Sequence, residues 1–179
     1  ADLAQVPVGE GTGEQIKLVL IRLGREIYGL DARYVYTVKP ADFITHVPRV
    51  PEWVAGVVNL RGRILSVVDL RRFFGLPPAE ADQYDGSENE SVPSLVVVET
   101  PDMEVALLTD DVLTVESVSA SQIQDTTGTV RGLRPEYVQG VARCKSSDGD
   151  GEGDDIMVVV LDPVALLADE RLIVHEEIV

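Results

Sequence analysis

Residues 51–76, PEWVAGVVNLRGRILSVVDLRRFFGL, decide the fold of this chain. A turn started by proline leads into a strand over 57–59, a tight basic turn at Arg61–Gly62 and a second strand over 64–70. Gly62 suits the positive φ that a two- to three-residue hairpin turn demands. The second strand is apolar almost throughout, which predicts cover on both of its faces. Taken alone, N-L-R-G is as consistent with a plain hairpin turn as with a functional corner. It gains weight because the same hairpin occurs again in the chain, and there the turn is missing.

The second copy is found by aligning the halves. LVLIRLGREIYGLDARYVYTV (18–38) matches LVVVETPDMEVALLTDDVLTV (95–115) without gaps, with identities at Leu18/Leu95, Val19/Val96, Leu30/Leu107, Val35/Val112, Thr37/Thr114 and Val38/Val115. PEWVAGV (51–57) then matches PEYVQGV (135–141), and VVDLRRFF (67–74) matches VLDPVALL (160–167). Chance similarity between β-rich segments is the alternative, and three blocks in one order argue against it. The offset rises from 77 to 84 to 93, so the second copy has longer loops. Each copy holds about five short strands, which close most economically into a small barrel without exposed edges. The expected fold is mainly β: two five-stranded barrel lobes from an internal duplication, short helices, and a helix near the C-terminus. The expected division is an arm at 1–14, a first lobe mainly over 15–76, a polar connection over 77–94, a second lobe mainly over 95–162, and a helix and tail over 163–179.

Composition narrows the function. With 179 residues and a formal net charge of −16, the bulk surface repels nucleic acid and anionic membrane. No apolar run approaches the roughly 20 residues needed to span a bilayer, and residues 1–15 show no secretory signal pattern. One cysteine, Cys144, excludes an intramolecular disulfide and a cysteine-cluster metal site. GEGTG near the start lacks the strand and lysine of a phosphate loop. The acidic run 145–155 begins like a calcium loop at Asp148, Asp150, Glu152 and Gly153. Its twelfth position, however, is Val159, where a bidentate glutamate is required. His46 and His175 stand without a nucleophile at any motif spacing. No cofactor and no metal are expected. Asp69 and Asp162 occupy matched places after apolar strands, and each suits a cap for the turn that follows. A carboxylate dyad in a small hydrolase is the sharper alternative for that pair. No other arrangement in the sequence points to an enzyme.

A binding surface remains. Arg61, Arg63, Arg71 and Arg72 form the densest basic cluster in an acidic chain, and an arginine at a tight turn is poised to grip a carboxylate. The run G-x-x-x-Y-G-L-D followed by V-x-x-V, and then V-P-x-x-P-x-W-V-x-G-V-V-N-L-R-G-R-I-L-S-V-V-D-L-R-x-x-F-G-L-P, resembles the CheW-like family of bacterial chemotaxis coupling proteins. The resemblance covers about residues 15–170 and is strongest over 47–77.

It implies two SH3-like five-stranded barrels and a non-catalytic, cytoplasmic adaptor associated with receptor arrays. The implied partners are the cytoplasmic tip of a methyl-accepting chemoreceptor and the regulatory domain of the histidine kinase CheA, with possible ring assembly. It implies further that Val35, Thr37, Asn59, Leu60, Arg61 and Gly62 border the groove that receives the receptor's helical hairpin. Thr37 stands where many relatives carry an acid, and the 145–155 insert lengthens the second hairpin. The alternative within the resemblance is a regulatory domain of a kinase, or a similar domain of a twitching, gliding or second-messenger pathway.

Overall fold

The computed structural model of the protein describes residues 14–76, 93–125, 133–145 and 155–173. The expected arm, most of the 77–94 connection, the calcium-like run and His175 lie outside these residues. Ten strands follow one another: β1 (Gln15–Leu23), β2 (Glu26–Asp31), β3 (Val35–Pro40), β4 (Val54–Leu60), β5 (Arg63–Asp69), β6 (Ser94–Glu99), β7 (Glu104–Thr109), β8 (Asp111–Ser119), β9 (Val138–Lys145) and β10 (Asp155–Leu161). Short helices α1 (Leu70–Phe73), α2 (Pro163–Leu167) and α3 (Glu170–Ile173) follow β5 and β10. The single C-terminal helix expected from 163 onward is therefore broken in two, with Ala168 and Asp169 between the pieces.

The strands form two five-stranded sheets, in the orders β8-β1-β2-β10-β9 and β3-β6-β7-β5-β4. Read against the repeat, the orders are the same, with β1 in the place of β6, β2 of β7, β8 of β3, β9 of β4 and β10 of β5. The parallel pairs also match, β10 beside β2 and β5 beside β7. So do the bridges that extend the edges, Thr45 to Val57 and Gln124 to Val141.

The lobes, however, are not the halves of the chain. Each sheet takes the first hairpin of one repeat and the last three strands of the other. This replaces the contiguous division at 15–76 and 95–162. The reason lies in the links. A single 3-10 turn, Ala32–Tyr34, carries the chain from β2 into β3 of the other sheet, and Asp110 alone separates β7 from β8. Through these links the chain passes directly from one sheet to the other.

Alternation along the central strands explains their apolar sequences. In β1, Leu18 and Leu20 enter the core of their own lobe, while Val19, Ile21 and Leu23 enter a core between the lobes. In β6, Leu95 and Val97 line the other lobe's core, and Val96 and Val98 face the shared one. β10 divides in the same way, with Val158 and Val160 on one side and Val159 and Leu161 on the other. A strand with two buried faces reads as a continuous apolar run.

The shared core is closed by aromatic side chains. Phe73 lies 6.2 Å from Trp53 and from Tyr137 and 6.0 Å from Phe74, centroid to centroid. From α3, the Arg171 guanidinium stacks 4.0 Å over the Phe73 ring. Asp110 ties the lobes at another point. Its Oδ2 accepts the Gly24 N–H at 2.6 Å and pairs with Arg71 at 3.1 Å, joining the β1–β2 turn to α1.

Asp69 and Asp162 prove to be helix caps. Asp69 Oδ1 accepts the Arg72 N–H at 3.3 Å, and Asp162 Oδ1 accepts from Val164 at 3.0 Å and Ala165 at 3.2 Å. Their own N–H groups donate to Trp53 and Tyr137, a repeat-related pair. Loss of a cap of this kind costs about 1 kcal/mol, so Asp162→Ala is expected to lower the urea midpoint modestly. A serine at 162 should recover most of the difference in the same titration.

Candidate functional site

β4 and β5 pair up to Leu60 opposite Arg63, which leaves Arg61 and Gly62 as a two-residue turn. Both have positive φ, 51° at Arg61 and 84° at Gly62, the signature of a type I′ turn whose twist matches the strands it joins. The Asn59 side chain locks the turn from within, its Oδ1 accepting the Gly62 N–H at 3.0 Å. A side chain is strained at the conformation Arg61 adopts, where asparagine or glycine is usual. The Arg61 side chain crosses to β3, and Nη1 donates to the Tyr36 hydroxyl at 3.2 Å. Because β3 and β4 are the two edge strands of their sheet, this contact also marks where the sheet curls to meet itself.

β3 is set in place by its approach. Asp31, nearly buried at the end of β2, accepts from the Arg33 N–H at 3.0 Å and pairs with its guanidinium at 2.7 Å. Burial alone would push that carboxyl up, but the hydrogen bonds and charge of Arg33 hold it below the usual range. Beyond this turn, the β3–β6 register slips between Val35 and Thr37, leaving Tyr36 as the extra residue of a bulge. A bulge re-aims the side chain it carries, and Tyr36 stands 46% exposed.

The sequence-derived site residues divide by their surroundings. Asn59, Arg61 and Gly62 are exposed together at the corner. Val35 is half-buried against the core between the lobes. Thr37 is half-buried and pairs with Val97, a residue of the lobe's own core. Leu60 points into that same core and is only 6% exposed, so it shapes the turn from below.

The four-arginine cluster is also redistributed. Arg63 pairs with Glu104 at 2.9 Å beside the corner. Arg71 and Arg72 sit past the far end of β5, a seven-residue strand, which puts them on the order of 20 Å away. There they pair with Asp110 at 3.1 Å and Asp69 at 3.6 Å.

Two exposed residues of β3 escaped the sequence reading, Tyr36 and Val38. Val38 pairs with Val96, which faces the shared core, so Val38 lies on the side of its sheet that looks toward the other lobe. The alternation in YVYTV is legible, but the bulge that turns Tyr36 outward is a matter of its register with β6.

Among the described residues, no group of three or more histidine, cysteine, aspartate or glutamate side chains is placed to hold a metal ion. No described helix is long and apolar enough to cross a membrane.

The model of the CheW-like domain matches residues 17–171. The chain belongs to the CheW-like domain family. It is 29% identical over 164 residues to the chemotaxis protein CheW of Klebsiella aerogenes, covering 92% of this chain and 87% of that one. It is also 29% identical over 130 residues to the chemotaxis protein CheW of Treponema pallidum, covering 73% and 74%. Among solved structures, the scaffolding protein TtCheW from Thermoanaerobacter tengcongensis superposes with a TM-score of 0.66 at 26% identity, over 87% of this chain and 89% of that one. CheW-like proteins are scaffolds and not enzymes, in keeping with the use of Asp69 and Asp162 as helix caps.

Proposed function

We propose that this CheW-like chain is a cytoplasmic adaptor coupling chemoreceptors to the histidine kinase CheA, and that a receptor helix docks at the Arg61 corner. The observation that carries the reading is the corner itself: a guanidinium held out from a locked turn and bonded, among the described residues, to a neutral hydroxyl. Arg22, Arg33, Arg63, Arg71, Arg72, Arg134 and Arg171, by contrast, each lie against a carboxylate. The Arg61 charge is therefore available to an acid from outside. On β3, the exposed Tyr36 and Val38, with the half-buried Val35 next to them in the chain, offer an apolar strip for the same helix, which is how an amphipathic helix binds a groove.

The second sheet repeats the exposed apolar positions, with Arg143 opposite Met157 in the place that Asn59 holds opposite Ile64. Leu113, Val115 and Met157 stand where Tyr36, Val38 and Ile64 stand in the first, and all six are exposed. This surface suits the kinase's regulatory domain, and the paired surfaces suit ring assembly. Motion of receptor helices at the corner would then bias the kinase by differential binding to its states.

The test is binding of Arg61→Ala and Arg61→Glu to a receptor signalling fragment, with CheA binding as the control for folding. Removing a charge from a desolvated contact costs about 2 kcal/mol or more. The alanine variant should bind at least tenfold more weakly, and the glutamate variant more weakly still. Undiminished receptor binding by both refutes the assignment.

A further inference from the structure

We propose that Tyr36 is a positioning residue for Arg61: its hydroxyl holds the guanidinium in the orientation the partner meets. The inference rests on the reading of Arg61 as the receptor contact. Three observations lead to it. Tyr36 is the unpaired residue of the β3 bulge, so its side chain answers to no ladder neighbour and is directed outward. Its hydroxyl lies 3.2 Å from Arg61 Nη1 across the two edge strands of the sheet. The backbone of Arg61 is independently fixed by the Asn59–Gly62 hydrogen bond of the turn. A long side chain is thus held at its root and at its tip, although it sits on the surface.

The choice of partner matters as much as the geometry. A guanidinium has five N–H donors and keeps its full charge when one of them meets a neutral hydroxyl. A carboxylate in the place of Tyr36 would satisfy the cation and compete with any incoming acid. Tyr36 instead restrains Arg61 while leaving the remaining donors for a second group. Restraint before binding reduces the ordering cost that association otherwise carries. Tyr36 stays 46% exposed, so one residue contributes both an apolar face and a tether.

Tyr36→Phe removes the hydroxyl and keeps the ring. Because the ordering of one long side chain must then be met on binding, this variant should bind the receptor signalling fragment about three- to tenfold more weakly. In the Arg61→Ala background the same change should have no further effect. A measurement independent of any partner accompanies the cycle. Arg61 guanidinium N–H resonances should show slower side-chain rotation in the wild type than in Tyr36→Phe.

Unchanged Arg61 resonances overturn the positioning role, as does a Tyr36→Phe loss that is fully additive with Arg61→Ala. If Arg61→Glu leaves receptor binding intact while Tyr36→Phe still frees the Arg61 resonances, the receptor assignment fails and the tether stands.

Discussion

Replacing Gly56 with alanine is expected to cost on the order of 3 kcal/mol or more, through backbone overlap at φ +147° and loss of the Thr45 bridge. A Cβ on Gly56 would lie 2.1 Å from the Thr45 carbonyl oxygen and 2.9 Å from its carbon. That oxygen accepts the Val57 N–H at 2.9 Å, and the Thr45 N–H donates to the Val57 carbonyl at 2.8 Å. Neither partner can withdraw without opening the edge of the sheet on which the Arg61 turn is carried.

The repeat supplies an internal control. Gly140, the counterpart in PEYVQGV, would bring its Cβ to 2.5 Å from the Gln124 oxygen, so Gly140→Ala should destabilise in the same way. Gly62 also has a positive φ, but nothing lies within 4 Å of its would-be Cβ. Gly62→Ala should therefore cost only about 1 kcal/mol, the conformational term alone. Urea titration followed by the fluorescence of the single tryptophan, Trp53, measures all three. A Gly56→Ala loss no larger than that of Gly62→Ala would contradict this account of the edge.

Phe73→Ala should be comparably severe and different in kind. Phe73 is 3% exposed and sits among Trp53, Phe74, Tyr137 and the Arg171 guanidinium, which come from both repeats and from α3. Truncating a buried phenylalanine costs about 3–5 kcal/mol, since the lost transfer energy is joined by a cavity. Here the cavity would open in the core that the lobes share. Because both sheets bury a face in that core, the wild-type protein should unfold in a single transition. Phe73→Ala should lower the midpoint and broaden or split the curve as the lobes lose their coupling. Phe73→Leu, which keeps an apolar side chain in the core but loses the ring contacts, should cost less than Phe73→Ala and keep one transition. Differential scanning calorimetry reads both effects, and an unsplit, unshifted endotherm for Phe73→Ala would count against the shared core.

Much of this architecture was legible in the sequence because duplication leaves a trace that physics alone does not. Leu18/Leu95, the PEWVAGV and PEYVQGV blocks and Asp69/Asp162 gave the repeat, the strand count and the helix caps. The partition into lobes was hidden. Residue similarity says which strands correspond, but it does not say which neighbours they choose. Apolar runs such as Leu18–Leu23 fit either lobe equally well, and the crossings at Ala32–Tyr34 and at Asp110 are visible only in how the strands pair.

The site shows the same division. The Arg61–Gly62 turn followed from residue type and spacing. The burial of Leu60 follows from strand alternation that begins only once the exact ends of β4 are known. The separation of Arg71 and Arg72 from Arg61 follows from the length of β5, which the run of basic letters conceals. Tyr36 was invisible because a bulge is a feature of register, and register is not written in one strand.

The most direct measurement is a backbone and side-chain NMR map of the wild-type protein titrated with a receptor signalling fragment. The account predicts perturbations concentrated at Tyr36, Val38, Asn59, Arg61 and Gly62, with a smaller response at the half-buried Val35 and with Leu113, Val115 and Met157 undisturbed until the kinase domain is added. A map in which the receptor fragment leaves the Arg61 corner unperturbed while shifting residues elsewhere would contradict it.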